Sequence, residues 1–140
     1  MSDAEKRSSA DLVHLLYDVD KVVRKAAATE LGTRGAEGFA TALPLLADSS
    51  WVVRYRACEI IGMTRQPEAF PVLLETLSDS CDHLRYMAVK GLGILGDVRA
   101  LPHVVRMHED ENPFVQRIAV KVAAELSKIS KYLLLFRASS

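Results

Sequence analysis

The residues that most often carry chemistry are few in this chain and are scattered along it. The four histidines, His14, His83, His103 and His108, are isolated from one another in the 140-residue sequence. One His-Glu pair occurs, His108-Glu109, but it has no copies in the other repeats, and a metal site needs three or four converging ligands. We therefore predict no metal site, no cofactor and no catalytic residue.

The two cysteines do not indicate a zinc site or a disulfide framework. Cys58 lies among apolar residues at helical spacing, which is typical of a small core residue, and Cys81 lies in a loop that enters a helix. We interpret both as reduced thiols of a cytoplasmic protein. The polar start of the chain has no apolar signal-peptide core. The apolar run at 132–136 is far shorter than the roughly 20 residues that span a bilayer.

The charge balance argues against a general nucleic-acid partner. Lysine plus arginine number 18, aspartate plus glutamate also number 18, and the formal net charge is zero. A protein that binds nucleic acid through its phosphates usually carries a basic excess. We therefore expect neither a nucleic acid nor a membrane as the partner.

Four segments of the chain align as repeats 30 or 31 residues apart. They begin at Asp18, Asp48, Asp79 and Asp110, and in each an apolar anchor follows five residues later. An alanine lies four residues after each anchor, and a glycine lies nine residues after the first three anchors. The aligned residues are the anchors Val23, Val53, Leu84 and Val115, the alanines Ala27, Ala57, Ala88 and Ala119, and then Gly32, Gly62, Gly93 and Ala124.

Each repeat has the properties of a helical hairpin. The aspartate precedes the first helical turn, where a carboxylate accepts free backbone N–H groups, and apolar residues then recur at helical spacing. The alanine lets neighbouring helices approach closely, and we expect the glycine to end the first helix. In the second helix, Pro71 and Pro102 come early, where proline is tolerated, whereas Pro44 should shorten or kink its helix.

The predicted fold is all-α. It is an α–α superhelix, a right-handed solenoid of antiparallel helical hairpins, with about four repeats after an N-terminal half repeat. We predict a single domain over 1–140, divided into a half repeat at 9–17, full repeats at 18–47, 48–78 and 79–109, and an irregular repeat or cap at 110–140.

The consensus D-x4-[VL]-[RQ]-x3-A-x4-G, together with G-D-V-R-A-L-P at Gly96 to Pro102, resembles the phycobilisome-lyase-type family of HEAT-like repeats. The resemblance extends from Asp11 to about Lys128 and implies the fold more strongly than a function. That family includes bilin lyase subunits, the iron enzyme deoxyhypusine hydroxylase and small binding modules. The hydroxylase relatives carry a His-Glu pair, which holds iron, just after several of their anchors. None of the residue pairs at those positions here is a pair of metal ligands: they are Lys25-Ala26, Tyr55-Arg56, Tyr86-Met87 and Arg117-Ile118.

One basic side chain recurs beside the anchor in three repeats, as Arg24, Arg54 and Arg85, with Gln116 in the fourth. A basic stripe that binds nucleic acid is one interpretation. We favour the other, in which each arginine pairs with the aspartates of its own or the adjacent repeat and keeps both charges partnered near the core edge.

The resemblance also implies where a partner would bind, because second helices line the concave side in this family. Charge along that side changes from acidic in the middle to basic towards the C-terminal end, which would hold a complementary protein in one orientation. Trp51 either covers a seam between repeats or serves as an exposed interface anchor. The candidate partner-binding residues are Glu68, Val72, Glu75, Arg99, His103, Arg106 and Trp51.

The segment Leu133–Phe136 is too apolar to face water without a role. We expect the last helix to continue or to bend near 127–130, with the apolar side folded back on the preceding hairpin as a cap. The alternative is self-association through this end, giving a homo-oligomer.

Three functions are compatible with these residues. The first is a non-enzymatic scaffold that binds a protein partner on the face formed by the second helices. The second, implied by the resemblance, is a bilin lyase-like subunit that acts on a tetrapyrrole–protein adduct. The third and weaker alternative is a DNA-binding helical-repeat protein.

Overall fold

A computed structural model describes residues 6–139, with side chains up to Arg137; residues 1–5 and 140 of the predicted domain lie outside the described part. The described chain is helical and contains no strand, which confirms the all-α prediction. The helices are α1 (Ser9–Leu15), α2 (Lys21–Gly32), α3 (Gly35–Ala42), α4 (Trp51–Thr64), α5 (Ala69–Thr76), α6 (Asp82–Leu95), α7 (Leu101–Arg106) and α8 (Pro113–Ser139), and 3₁₀ turns cover Leu43–Ala47, Val98–Ala100 and Met107–Glu109.

The helices pack as stacked hairpins. The first helices form one layer in which α2 contacts α4, α4 contacts α6 and α6 contacts α8. The second helices α3, α5 and α7 pack beside them, and α1 packs against α2 and α3 in the manner of a further second helix. Leu12 of α1 and Leu16 directly after it are buried, as are Leu73 of α5 and Leu77 directly after that helix. The core is therefore a continuous seam between two layers of helices.

The recurring aspartates set the start of each first helix. Each carboxylate accepts the backbone N–H of the residue two positions later, at 2.8–2.9 Å. In the first three repeats that residue is the N-cap, which immediately precedes the helix. The aspartate therefore fixes the turn that enters the helix, two residues earlier than a direct helix cap. These residues are Asp18, Asp48, Asp79 and Asp110.

The recurring arginines stabilise the same turns, mostly through hydrogen bonds to main-chain carbonyls and not to carboxylates. Arg24, Arg54 and Arg85 each donate from Nη1 to the main-chain carbonyls of the repeat aspartate and of the next residue, at 2.7–3.2 Å. Gln116 donates to the carbonyl of Asp110 in the same way. Among these three arginines, only Arg85 also reaches a carboxylate, that of Asp110 in the following repeat. The predicted pairing with aspartate side chains is thus wrong for Arg24 and Arg54, because the main-chain carbonyls of the turn are within closer reach.

The prediction that the repeat glycine ends the first helix is wrong for two of three repeats. Gly32 is the last residue of α2, but α4 and α6 continue past Gly62 and Gly93 and end at residues 64 and 95. A Cβ added at Gly62 would lie 2.7 Å from the Cα of Gly91 in the neighbouring helix. The repeat glycine permits close approach of successive first helices. The left-handed residues that follow α4 and α6 are Arg65 and Gly96.

The early helical positions predicted for Pro71 and Pro102 are confirmed, whereas the shortening predicted for Pro44 is not observed. Helix α3 ends at Ala42, and the chain continues through the 3₁₀ turn that contains Pro44. Pro102 lies in the first turn of α7 and Pro71 in the first turn of α5. Helix α3 has 8 residues, as α5 has, and α7 has 6, so Pro44 does not make this second helix shorter than the others. The chain instead changes to 3₁₀ geometry at Leu43, where proline's missing N–H removes an α-helical hydrogen bond.

The last helix does not fold back as a cap. Helix α8 is 27 residues long and continuous, whereas α4 and α6 have 14 residues each. Its fourteenth residue is Leu126, and the part beyond it, residues 127–137, is called the C-terminal tail below. The side chains from Leu133 to Phe136 are between 49% and 68% exposed, so the predicted cap is wrong.

Candidate protein-binding surfaces

Six of the seven predicted partner-binding residues lie on or beside two neighbouring second helices. Glu68 immediately precedes α5, while Arg99 lies in the 3₁₀ turn before α7. All six are exposed or half-buried, so each presents atoms to solvent. Their role in binding stays a prediction. This second-helix row consists of Glu68, Val72, Glu75, Arg99, His103 and Arg106.

The middle of the row borders an acidic groove of ≈ 440 Å³ between the Leu43–Ala47 turn and α5. Leu46 and Val72 provide apolar surface, and Glu75 and Asp79 provide carboxylates. The C-terminal end of α5 lies at the same place, and the partial negative charge of a helix C-terminus adds to that of the carboxylates. This acidic groove has the composition that suits an apolar segment carrying cationic side chains.

The basic end of the row is positioned by its neighbours. Arg99 donates from Nε and Nη2 to the carboxylate of Asp97, at 2.6–3.1 Å, and its guanidinium carbon lies 4.4 Å from the ring centroid of Phe70. These hydrogen bonds lower the pKa of Asp97 and raise that of Arg99. Since the side chain of Arg99 is still 70% exposed, it presents a held, accessible cation next to α5.

Trp51 does not lie with the other six candidates. It is the first residue of α4, and its ring stacks on His83 of α6 at 4.3 Å between centroids, with Tyr55 edge-on at 6.4 Å. The interpretation that Trp51 covers a seam between repeats is therefore confirmed. Its ring is also 43% exposed, so it contributes to the surface on the first-helix side.

Sequence reasoning missed an aromatic groove next to Trp51. A groove of ≈ 270 Å³ lies over the N-terminal parts of α6 and α8, walled by Tyr55, Tyr86 and Phe114. On its polar side, Asn112 donates to the carboxylate of Asp82 at 2.6 Å. Burial raises the pKa of the Tyr55 hydroxyl. The signal was present in the sequence, since Tyr55 and Tyr86 occupy the same repeat position, two residues after the anchor.

The two cysteines lie in different environments. Cys58 is 1% exposed, and burial raises the pKa of its thiol to about 12, so the thiolate does not form near neutral pH. Cys81 is half-buried at the start of α6. Between residues 6 and 139, no three histidine, cysteine or acidic side chains converge on a point that could hold a metal ion. None of the helices in this range combines the length and apolar surface needed to cross a bilayer.

Comparison with known proteins agrees with this architecture. The family model described as HEAT repeats matches residues 39–124. No curated protein sequence matches the chain significantly. The complex of CpcE and CpcF of phycocyanin lyase from Nostoc sp. PCC7120 is similar, with a TM-score of 0.75 at 19% identity over 86% of this chain and 79% of that one.

Two further structures share the fold. Human deoxyhypusine hydroxylase in complex with glycerol has a TM-score of 0.70 at 19% identity over 89% of this chain. The chain spans only 45% of the length of that hydroxylase. An engineered protein has a TM-score of 0.54 at 17% identity, covering 86% of this chain and 63% of its own. Identities this low show the shared fold and not a shared activity.

The family assignment rests on sequence and structure together. The match over residues 39–124 includes α4, α5, α6 and α7 and extends into α3 and α8. The stacked hairpins have the architecture of the two natural proteins above, which together with the family match confirms the predicted HEAT-like repeats. This chain belongs to the HEAT-repeat family.

Proposed function

We propose that this chain is a non-enzymatic scaffold that holds a segment of a partner protein along the second-helix row. The observation that carries the proposal is the acidic groove beside α5, in which apolar side chains and two carboxylates share one concavity. Protein interfaces combine such apolar centres with polar margins that fix orientation.

The charge change along the row supports one orientation for the bound segment. Glu68 and Glu75 are acidic and exposed, while Arg99 and Arg106 follow in the turn before α7 and at the end of α7. Neighbouring helices lie about 8–10 Å apart, so a segment with a basic and an acidic end would match both regions at once. A reversed segment would bring like charges together, which costs binding energy.

The non-enzymatic part of the proposal rests on where the reactive groups lie. Cys58 is enclosed in the core, and the four histidines occur on four different elements, α1, α6, α7 and the Met107–Glu109 turn. The bilin lyase-like and DNA-binding alternatives stay predictions from sequence, since the shared fold favours neither.

The test begins by identifying what co-purifies with the tagged chain from its native cell. Binding of that partner is then measured by calorimetry for the wild type and for Glu68→Lys/Glu75→Lys/Arg99→Glu/Arg106→Glu, which keeps the net charge. We expect the affinity to fall at least tenfold with unchanged far-UV circular dichroism, because four surface charges no longer match the partner.

A matched control reverses four exposed charges away from the row, as Lys25→Glu/Lys121→Glu/Glu111→Lys/Glu125→Lys. This variant should bind within twofold of the wild type. If the row variant binds as well as the control, the second-helix row is not the binding face.

A further inference from the structure

An apolar stripe runs along the whole of α8 and is buried over only part of its length. Residues spaced alternately by four and three positions lie on one side of a helix, and here they are all apolar. The first four are 0–3% exposed within the solenoid, whereas the last three are 37%, 49% and 60% exposed. The stripe consists of Val115, Ala119, Val122 and Leu126, followed by Ile129, Leu133 and Phe136.

The exposed part of this stripe carries only positive charge. Residues 127–137 contain Lys128, Lys131 and Arg137 and no acidic residue. Neither lysine forms an ion pair within the described residues. Two tails placed side by side would bring these cations together, so tail-to-tail pairing is opposed by charge.

The acidic groove beside α5 is the complementary surface. Residues 68–79 contain Glu68, Glu75 and Asp79 and no basic residue, the opposite of the tail. The groove also offers apolar side chains, Leu46 and Val72 among them, that the stripe could cover. Apolar contact and charge attraction thus agree on the same pair of surfaces.

We infer that the acidic groove of one copy binds the C-terminal tail of a second copy. The inference rests on the proposed function, because it uses part of the same face, and it names a second copy of this chain as a ligand of that face. Ile129, Leu133 and Phe136 contact the groove apolar surface, while Lys128 and Lys131 lie near the carboxylates. Helix α8 continues without a break through the tail, and Ile129, Leu133 and Phe136 are partly exposed, so they are accessible to another molecule.

The expected contact is small. With Tyr132, which flanks the stripe, four apolar side chains cover the groove at about 100 Å² each, or about 400 Å² from the tail. That is below the ~800 Å² per partner of a standard interface. We therefore expect weak association, with a dissociation constant on the order of micromolar or above. Added salt should weaken it, because the charged side chains are exposed.

The geometry makes the assembly head-to-tail. Groove and tail are different surfaces, so a bound pair still has one free groove and one free tail, and further copies can add. In analytical ultracentrifugation, the mean mass of the wild type should rise with concentration from 15.5 kDa past that of a dimer.

Two variants, each with one defective surface, test the pairing. The groove variant is Val72→Arg/Glu75→Arg, and the tail variant is Leu133→Asp/Phe136→Asp. Each alone should be monomeric. An equimolar mixture should form a 1:1 heterodimer of twice 15.5 kDa and nothing larger, because only the tail variant's groove and the groove variant's tail remain intact. The control Glu109→Arg/Lys121→Asp should associate like the wild type.

Several outcomes would overturn the inference. A groove variant that still self-associates would show that tails bind each other or another surface. A wild type that stays monomeric up to millimolar concentration would also overturn it, and cosedimentation of that monomer with phosphatidylserine vesicles would assign the tail to lipid. If either outcome is found but the four-charge variant still loses its partner, the inference is wrong and the proposed function holds. Failure of the inference can therefore be distinguished from failure of the proposed function.

Discussion

Helices α6 and α8 occupy the same position in successive repeats, yet one is enclosed and the other is open. Five residues after the anchor, Val89 of α6 is 0% exposed, while Val120 of α8 is 55% exposed. Both are valines with the same helical register, so the amino acid does not account for the difference. Burial in a solenoid is conferred by the next repeat, and α8 has no further first helix packed on it among residues 6–139.

The same contrast applies to the polar side chains. Arg85 of α6 donates to the carbonyls of its own turn. It also donates from Nε and Nη2 to the carboxylate of Asp110 in the following repeat, at 2.8 and 3.1 Å. Gln116, at the equivalent position of α8, binds only the carbonyl of its own turn. Arg85 therefore links two repeats, whereas Gln116 stabilises only its own turn.

The largest effect should separate the two halves of the apolar stripe on α8. Leu126→Ala removes a fully buried side chain and should lower the free energy of unfolding by about 3 kcal/mol, whereas Leu133→Ala should change it by less than about 0.5 kcal/mol. Urea unfolding followed by circular dichroism at low protein concentration, where copies do not associate, gives both values. Equal losses would show that the tail is packed in the monomer.

The next effect compares a glycine of the interior with its counterpart in α8. Gly62→Ala places a methyl group 2.7 Å from the Cα of Gly91, and backbone cannot move aside as a side chain can. We expect a loss of about 2–3 kcal/mol. Ala124→Val, at the equivalent exposed position, should be within about 0.5 kcal/mol of the wild type. A tolerated Gly62→Ala would mean that α4 and α6 are farther apart than described.

A smaller effect should distinguish the arginine that links repeats from one that does not. Arg85→Ala leaves the buried carboxylate of Asp110 without its two hydrogen bonds from the guanidinium, which should cost about 2 kcal/mol. Arg54→Ala loses only hydrogen bonds to carbonyls and should cost about 1 kcal/mol. Denaturant midpoints at neutral pH test the order of the two. A reversed order would contradict the role of Arg85 between repeats.

The smallest effect is a pH dependence that arises from the same pair. Hydrogen bonds from Arg85, and then the N–H of Asn112, lower the pKa of Asp110 below its ordinary value of 3.8. The ionised form is thus favoured by folding, so its stabilising contribution is complete above pH 3.8 and is lost as the pH falls through the folded-state pKa. The stability difference between the wild type and Asp110→Asn should shrink as the pH is lowered from 6 to about 3. A difference that is constant over this range would argue against the ion pair.

Much of the fold could be predicted because its signals are local. In three repeats an aspartate and an arginine lie six residues apart and meet across one turn, so their spacing alone places them together. The predicted partner of the arginine was a carboxylate, but the arginine mainly binds main-chain carbonyls. Every residue carries a carbonyl, so a pattern of side chains does not reveal this contact. The glycines were misread for a similar reason, because a helix end and a close helix crossing both favour glycine.

The candidate surfaces were predictable only in part. The exposed residues of the second-helix row follow from helical periodicity, which tells one face of a helix from another. Trp51 was grouped with them by residue type, and the structure places it against His83 on the first helices. The aromatic groove depends on side chains from three first helices, α4, α6 and α8, whose proximity a one-dimensional pattern does not show.

The sequence by itself determined the repeat, its helical hairpins and the turn that opens each first helix, because these depend on spacing within about thirty residues. Only the tertiary structure decided which equivalent residues are buried, which glycines meet and where α8 leaves the core. These features depend on distances between repeats. Gly62 and Gly91 approach because α4 and α6 are stacked, and Leu133 is exposed because α8 extends beyond its neighbour.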